Sequence, residues 1–246
     1  MELLRIENLT HMFGGLKAIS DLHIAVNRKT IYGVIGANGA GKTTLFNLIT
    51  GIYKPTAGRI VLDRTSLVGK PSYEISRLGV ARTFQNLRLF NDLNVIENIH
   101  VGQICHRGLR KSKAKEMSDK IEDLLNLFGL EMRANEKAGN LPYGMQRKLE
   151  IARALATEPK LLLLDEPAAG MNPKEVLGLV SLIQEVKKQF SDITIVLIEH
   201  QMKLVEGLCD YVTVMNFGQA IANGTVQEVQ SNPKVIKAYL GEAEVS

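Results

Sequence analysis

An α/β fold, in which a mainly parallel sheet is flanked by helices and interrupted by a helical segment, is what this sequence predicts, and three observations predict it. Residues 161–164 and 193–198 are continuous apolar runs, the pattern of strands covered on both faces. A glycine-rich turn directly follows the short β-branched run 31–35 and opens a stretch with helical spacing. From about Asn86 to Glu158 the apolar residues recur only at helical intervals, with no convincing strand among them.

In chain order, residues 3–9 and 22–26 alternate polar and apolar in the manner of half-buried strands, and 31–35 is the third strand. A helix starts at Lys42, with Leu45, Leu48 and Ile49 on one face and Gly51 at its C-terminal cap. Residues 59–62 form another strand. The helical insertion carries Ile96, Ile99 and Ile104, then Ile121, Leu124, Leu125 and Phe128. Past Pro159 strands and helices alternate again, with an amphipathic helix over 175–190 and with Pro159, Pro167 and Pro173 in loops. Two short strands at 211–215 and 219–222, joined by a turn at 216–218, precede short helices that run to Tyr239.

A chain of 246 residues with 45% apolar content buries a large core and fits one elaborated domain. The net charge of +4 suits an anionic partner, yet the basic residues cluster only around Arg107 to Lys115. No aromatic platform interleaves with that cluster, which therefore reads as a solvated helix end, with anionic lipid as the alternative and no nucleic acid expected. Cys105 and Cys209 belong to no metal-spaced pair and read as unpaired thiols of a reducing compartment. The first ten residues lack the layout of a signal peptide, and no apolar run approaches the ~20 residues of a membrane helix.

The sharpest signal is Gly36-Ala37-Asn38-Gly39-Ala40-Gly41-Lys42-Thr43-Thr44, which fits G-x-x-x-x-G-K-S/T between a strand and a helix. Glycines let consecutive backbone N–H groups curl around phosphate oxygens, with the positive end of the helix dipole behind them. Lys42 adds a point charge for the β- and γ-phosphates, Thr43 a hydroxyl for Mg²⁺, and Thr44 a donor toward the α-phosphate. The run 161–164 ends in Asp165 and Glu166. A carboxylate at a strand tip also serves as a helix N-cap, but paired with the phosphate loop Asp165 reads as a Mg²⁺ ligand through water. Glu166 is then a candidate general base for the attacking water. His200, just past the strand 193–198, is placed to reach the same phosphate, or is structural.

These residues, with 141–153, resemble an ABC-type ATPase over essentially the whole chain. The resemblance implies a phosphate-loop NTPase core of ABC type with an antiparallel N-terminal β region, core segments 1–86 and 158–246, and a helical signature subdomain over 87–157. Gln85, in Arg82-Thr83-Phe84-Gln85-Asn86, resembles the family's glutamine-loop residue, which senses the metal and the membrane partner. Leu141-Pro142-Tyr143-Gly144-Met145 takes the place of the signature Leu-Ser-Gly-Gly-Gln. In the family, ATP is sandwiched between one subunit's phosphate loop and the other's signature, so the resemblance implies a second ATPase subunit, with Tyr143, Gly144 and Met145 serving its ATP. Phe13 resembles the aromatic that stacks on adenine, with a core role as the alternative. Ala169-Gly170-Met171-Asn172 resembles the loop that crosses the dimer interface.

Finer matches are similar to the larger ATPase subunit of branched-chain amino-acid importers: residues 79–86, 168–175, 199–203 and Ala238-Tyr239-Leu240-Gly241-Glu242. They imply a peripheral subunit on the cytoplasmic face of a bacterial or archaeal plasma membrane, two transmembrane permease subunits and, indirectly, a solute-binding protein. Urea and amide transporters are the near alternative. A soluble ABC ATPase of DNA repair or translation is the rival from another class, although this chain has no room for that class's coiled coil or second fused unit. A non-catalytic nucleotide regulator is disfavoured by Glu166 and His200. One departure stands out: Pro142 has neither the hydroxyl nor the N–H of Ser, and Met145 offers only a weak thioether where the family has Gln. The composite site completed by this signature is therefore expected to close weakly.

Overall fold

The computed structural model describes residues 1–107 and 114–240, so the centre of the basic cluster, 108–113, and the closing Gly241 and Glu242 lie outside the described residues. Contacts divide the chain into two compact units, Met1–Ile75 with Asp192–Ser246, and Ser76–Ser191. The boundaries expected at 86/87 and 157/158 both fall inside the second.

In the first unit, β1 (Glu2–Phe13) and β2 (Leu16–Asn27) form an antiparallel pair, to which β4 (Ala57–Leu62) and the two-residue β5 (Thr65–Ser66) add on the β1 side. Burial alternates along them as Leu4, Ile6, Leu9, Ile19, Leu22, Ile24 and Val26 turn inward. Both strands exceed their expected lengths because register shifts, with Asn8 and Asp21 at positive φ, break the alternation that marked only their middles. The parallel part is built on β3 (Ile31–Gly36), which lies between β8 (Thr194–Glu199) and β9 (Tyr211–Asn216), with β10 (Gln219–Gly224) antiparallel on β9. Every residue of β3 and β8 is buried, as the apolar run along each requires, and the polar ends of β8, Thr194 and Glu199, are buried with it. α1 (Lys42–Ile49) packs on β2 and β3, and Gly51, one residue past its cap, takes φ +71°. α7 (Met202–Leu208), α8 (Val226–Gln230) and α9 (Pro233–Leu240) complete this unit, whose second core gathers Ile35, Val205, Val212, Val214, Val229 and Val235.

The second unit holds β6 (Val80–Arg82) parallel to β7 (Leu161–Asp165). α3 (Val95–Arg107), α4 (Ala114–Phe128) and α5 (Tyr143–Leu155) pack on one another, and α4 also meets α6 (Pro173–Gln189). The expected helical character of 86–158 is present. Four of these elements, β5, β6, α7 and α2 (Ser72–Arg77), have no counterpart in the sequence reading. α6 starts at Pro173 rather than near Glu175, because Asn172 caps it and Glu175 closes a capping box onto the Asn172 amide. That cap excludes the N-cap role weighed for Asp165, which ends a strand eight residues before the helix. Among the described residues no helix is long and apolar enough to cross a membrane.

Candidate active site

β3 delivers the chain into the glycine loop. Gly36 has φ +152°, and a Cβ there would stand 2.2 Å from the Met215 carbonyl oxygen; at Gly41, φ +99°, a Cβ would meet the Ala18 carbonyl oxygen at 2.7 Å. No side chain therefore fits at either position, and the loop can hug its neighbours. The Gly218 N–H donates to the Ala40 carbonyl at 3.0 Å and pins the loop to the β9–β10 turn. Asn38, Gly39 and Thr43 are exposed, Thr44 is half-buried and Ala40 is buried. Gly41 caps α1 with no side chain on the cap and no acid in the first turn, which leaves the helix dipole uncompensated at that end. Lys42 Nζ folds back to donate to the carbonyls of Gly36 (2.6 Å) and Ala37 (2.8 Å).

In the same unit, Phe13 ends β1 and is 43% exposed, so the core role weighed for it is excluded. It packs edge-on against His11 (4.6 Å) and Tyr53 (5.2 Å), while His11 stacks on Tyr53. His200 follows β8 with a half-exposed side chain. The buried Glu199 carboxylate accepts from the N–H of His200 (3.1 Å) and of Gln201 (3.4 Å), which fixes the turn that carries the imidazole.

In the second unit β7 ends on the buried Asp165. One carboxylate oxygen accepts from Arg82 Nη2 at 2.7 Å, while the other, Oδ1, is buried with no hydrogen-bond partner. Burial holds the Arg82 guanidinium below its ordinary value, against the upward pull of Asp165. A buried carboxylate oxygen left unpaired is costly unless something else meets it, and a hard oxygen donor is what Mg²⁺ takes, so Asp165 fits that ion. Glu166 follows at φ +45°, and its Oε2 accepts from Gln85 Nε2 at 3.0 Å. Gln85 and Glu166, expected in one site, are thus in direct contact.

α5 starts at Tyr143, with Pro142 as its N-cap, and no side chain completes the cap. Pro142, Gly144 and Met145 line a cavity of about 230 Å³ with Lys148, Met171 and Leu179 among its other walls. The Met145 N–H is taken by the Pro142 carbonyl at 2.9 Å.

A family model described as ABC transporter matches residues 19–169, more than half of the chain. The chain belongs to the ABC transporter family. A second model, described as branched-chain amino acid ATP-binding cassette transporter, matches residues 221–245. Among curated relatives, the high-affinity branched-chain amino acid transport ATP-binding protein LivG of Salmonella typhimurium is 48% identical, and BraF of Pseudomonas aeruginosa, of the same description, is 45% identical; each alignment covers 98% of both chains. An ATP-binding cassette of an ABC transporter solved in its ADP conformation superposes with a TM-score of 0.87 at 35% identity, over 98% of this chain and 99% of that one. The fold is accordingly that of an ABC cassette, an ATP-binding ATPase domain.

Within this ABC ATPase, the matched region contains the glycine loop, Gln85, the signature and both acids, whereas Phe13 and His200 lie outside it. Sequence reasoning missed Arg82, Arg147 and Glu150, all buried. The spacing of Arg147 and Glu150 on a helix reads as an exposed i,i+3 pair, and nothing local marks it as internal. His11 and Tyr53 were missed as well, being 42 residues apart and joined only by the fold.

Proposed function

We propose that this chain is the ATP-hydrolysing subunit of a branched-chain amino-acid importer, bound peripherally at the cytoplasmic face of the membrane to two permease subunits and a second ATPase subunit. The observation that carries the reading is the end-to-end similarity to the LivG and BraF proteins. The backbone N–H groups of 36–44 cradle the triphosphate of ATP, and Lys42 leaves the Gly36 and Ala37 carbonyls for the β- and γ-phosphate oxygens. Phe13 offers a face to adenine, and Thr44 donates to the α-phosphate.

Thr43, Asp165 and Gln85 are the residues that would hold magnesium, which when bound supplies positive charge to the phosphates. Glu166 Oε2, held by Gln85, accepts the proton of the attacking water, and His200 donates to the γ-phosphate. The partner subunit's nucleotide rests on Tyr143, Gly144 and Met145. Closing and reopening of the ATPase pair then moves the permease gate.

The complex purified with its permeases and reconstituted in liposomes is expected to release phosphate from MgATP and to accumulate leucine, isoleucine or valine. Phosphate release that drives uptake of urea or an amide instead would move the solute assignment, and absence of phosphate release would remove the ATPase reading.

A further inference from the structure

We propose that Arg147 is a positioning residue that joins three functional segments, so that what the signature grips is felt by the Gln85–Glu166 pair; the inference rests on the ATPase reading above.

The Arg147 side chain is fully buried. Its Nη1 donates to the Phe84 carbonyl (2.7 Å) and to Glu150 (2.7 Å), and its Nη2 donates to the Gln85 carbonyl (2.7 Å) and to the Tyr143 hydroxyl (3.1 Å). One planar guanidinium thus grasps two successive carbonyls, a geometry that lysine cannot reproduce. Glu150, one helical turn on, takes the same loop by its amides, accepting from Phe84 N–H (3.4 Å) and Arg88 N–H (3.2 Å). The Gln85 loop is therefore clamped by its carbonyls and its amides to a single turn of α5.

The other end of the relay is Tyr143, the first residue of that helix and 44% exposed. Its hydroxyl accepts from Arg147 and donates to the Ala169 carbonyl at 3.0 Å, in the loop three residues after Glu166. The same hydroxyl thus ties the signature to both the Gln85 loop and the loop after the acid, and Gln85 ties back to Glu166 at 3.0 Å.

Adhesion alone does not account for this arrangement. A buried ion pair is at best a weak contributor to stability compared with apolar residues of the same volume, and Arg147 Nε remains buried without a hydrogen-bond partner. What the pair supplies is direction, through charge-assisted bonds to particular backbone atoms. A shift at the start of α5 is transmitted to the Gln85 carbonyl through one guanidinium.

The test uses the assembled transporter. Tyr143→Phe removes only the hydroxyl. We expect kcat for ATP hydrolysis to fall about two- to tenfold, the loss of roughly one hydrogen bond's positioning. Because that hydroxyl is engaged by Arg147 and the Ala169 carbonyl while the aromatic ring is kept, the KM for ATP and the thermal midpoint are expected to stay at wild-type values. Arg147→Lys is expected to lower kcat in the same way and to add nothing to Tyr143→Phe when the two are combined. In a Gln85→Ala background Tyr143→Phe is expected to cost nothing further. An unchanged kcat, a change confined to KM, or losses that simply multiply would overturn the relay. If Arg147→Lys does not fold, the half-exposed Tyr143 still decides the matter through its kcat and KM. A wild-type complex that hydrolyses no ATP would instead remove the ATPase reading itself.

Discussion

Glu166 holds a left-handed backbone conformation, φ +45°, which costs an L-residue about 1–2 kcal/mol. Such strain is kept where the surrounding structure fixes it, and here the side chain it aims is bonded to Gln85. Glu166→Gln keeps the shape and removes the proton acceptor. Turnover is expected to drop by about two to four orders of magnitude, with nucleotide affinity, read by a fluorescent ATP analogue, retained. Turnover near the wild-type rate would withdraw Glu166 as the base. Cys209 makes a second case at this scale. Burial first, then the charges of Asp210 and Glu199, push its thiol from 9.0 up to about 12. At pH 8 its thiolate fraction is then on the order of one in ten thousand, so mass spectrometry after brief alkylation of the native protein should find Cys209 unmodified. The same shift has a sign for stability: the group stays neutral in the fold while the unfolded chain ionises, so stability present below pH 9.0 is lost as pH rises toward about 12. Urea midpoints from pH 8 upward should fall more steeply in wild type than in Cys209→Ala. Parallel slopes would exclude the thiol as the cause.

Elements are held by local chemistry that can be removed piece by piece. The capping box on α6 uses the Asn172 side chain to accept from the N–H groups of Lys174 and Glu175. Asn172→Ala should cost about 1 kcal/mol in denaturant unfolding. Glu150→Gln, inside the second unit, should cost about 3–5 kcal/mol, because it leaves the buried Arg147 guanidinium without a counter-charge. The contrast mirrors what the sequence made legible. β3, β7 and β8 could be read because both of their faces are covered, which forces an unbroken apolar run; the glycine loop could be read because phosphate chemistry dictates its spacing. β6 could not, since three residues are too few to display a period. β1 and β2 were legible only up to the bulges that shift their phase. Arg147 and Glu150 were silent because charge on a helix is normally solvated, and only the packing of loop 84–88 against α5 turns that face inward.

At the scale of the whole molecule, the signature is where this chain departs from its family's pattern. Pro142 supplies neither hydroxyl nor N–H, the Met145 N–H is already spent on the Pro142 carbonyl, and the adjoining cavity is walled by Met145, Met171 and Leu179 as well as Lys148 and Glu175. An anionic phosphate arriving from a partner subunit would meet fewer donors than a Ser and a Gln provide. One missing charge-assisted hydrogen bond is worth roughly 1.5–3 kcal/mol, so of the two composite sites in an assembled pair, the one completed by this signature should close less firmly. The double change Pro142→Ser with Met145→Gln restores both side chains at positions that tolerate them, one at an open helix cap and one beside a cavity. ATPase activity of the reconstituted complex should then rise by up to about tenfold, each 1.4 kcal/mol being a factor of ten in rate. Equal activity of the restored and native signatures would mean that the Gly144 backbone and the helix end already suffice, and that the two sites are matched.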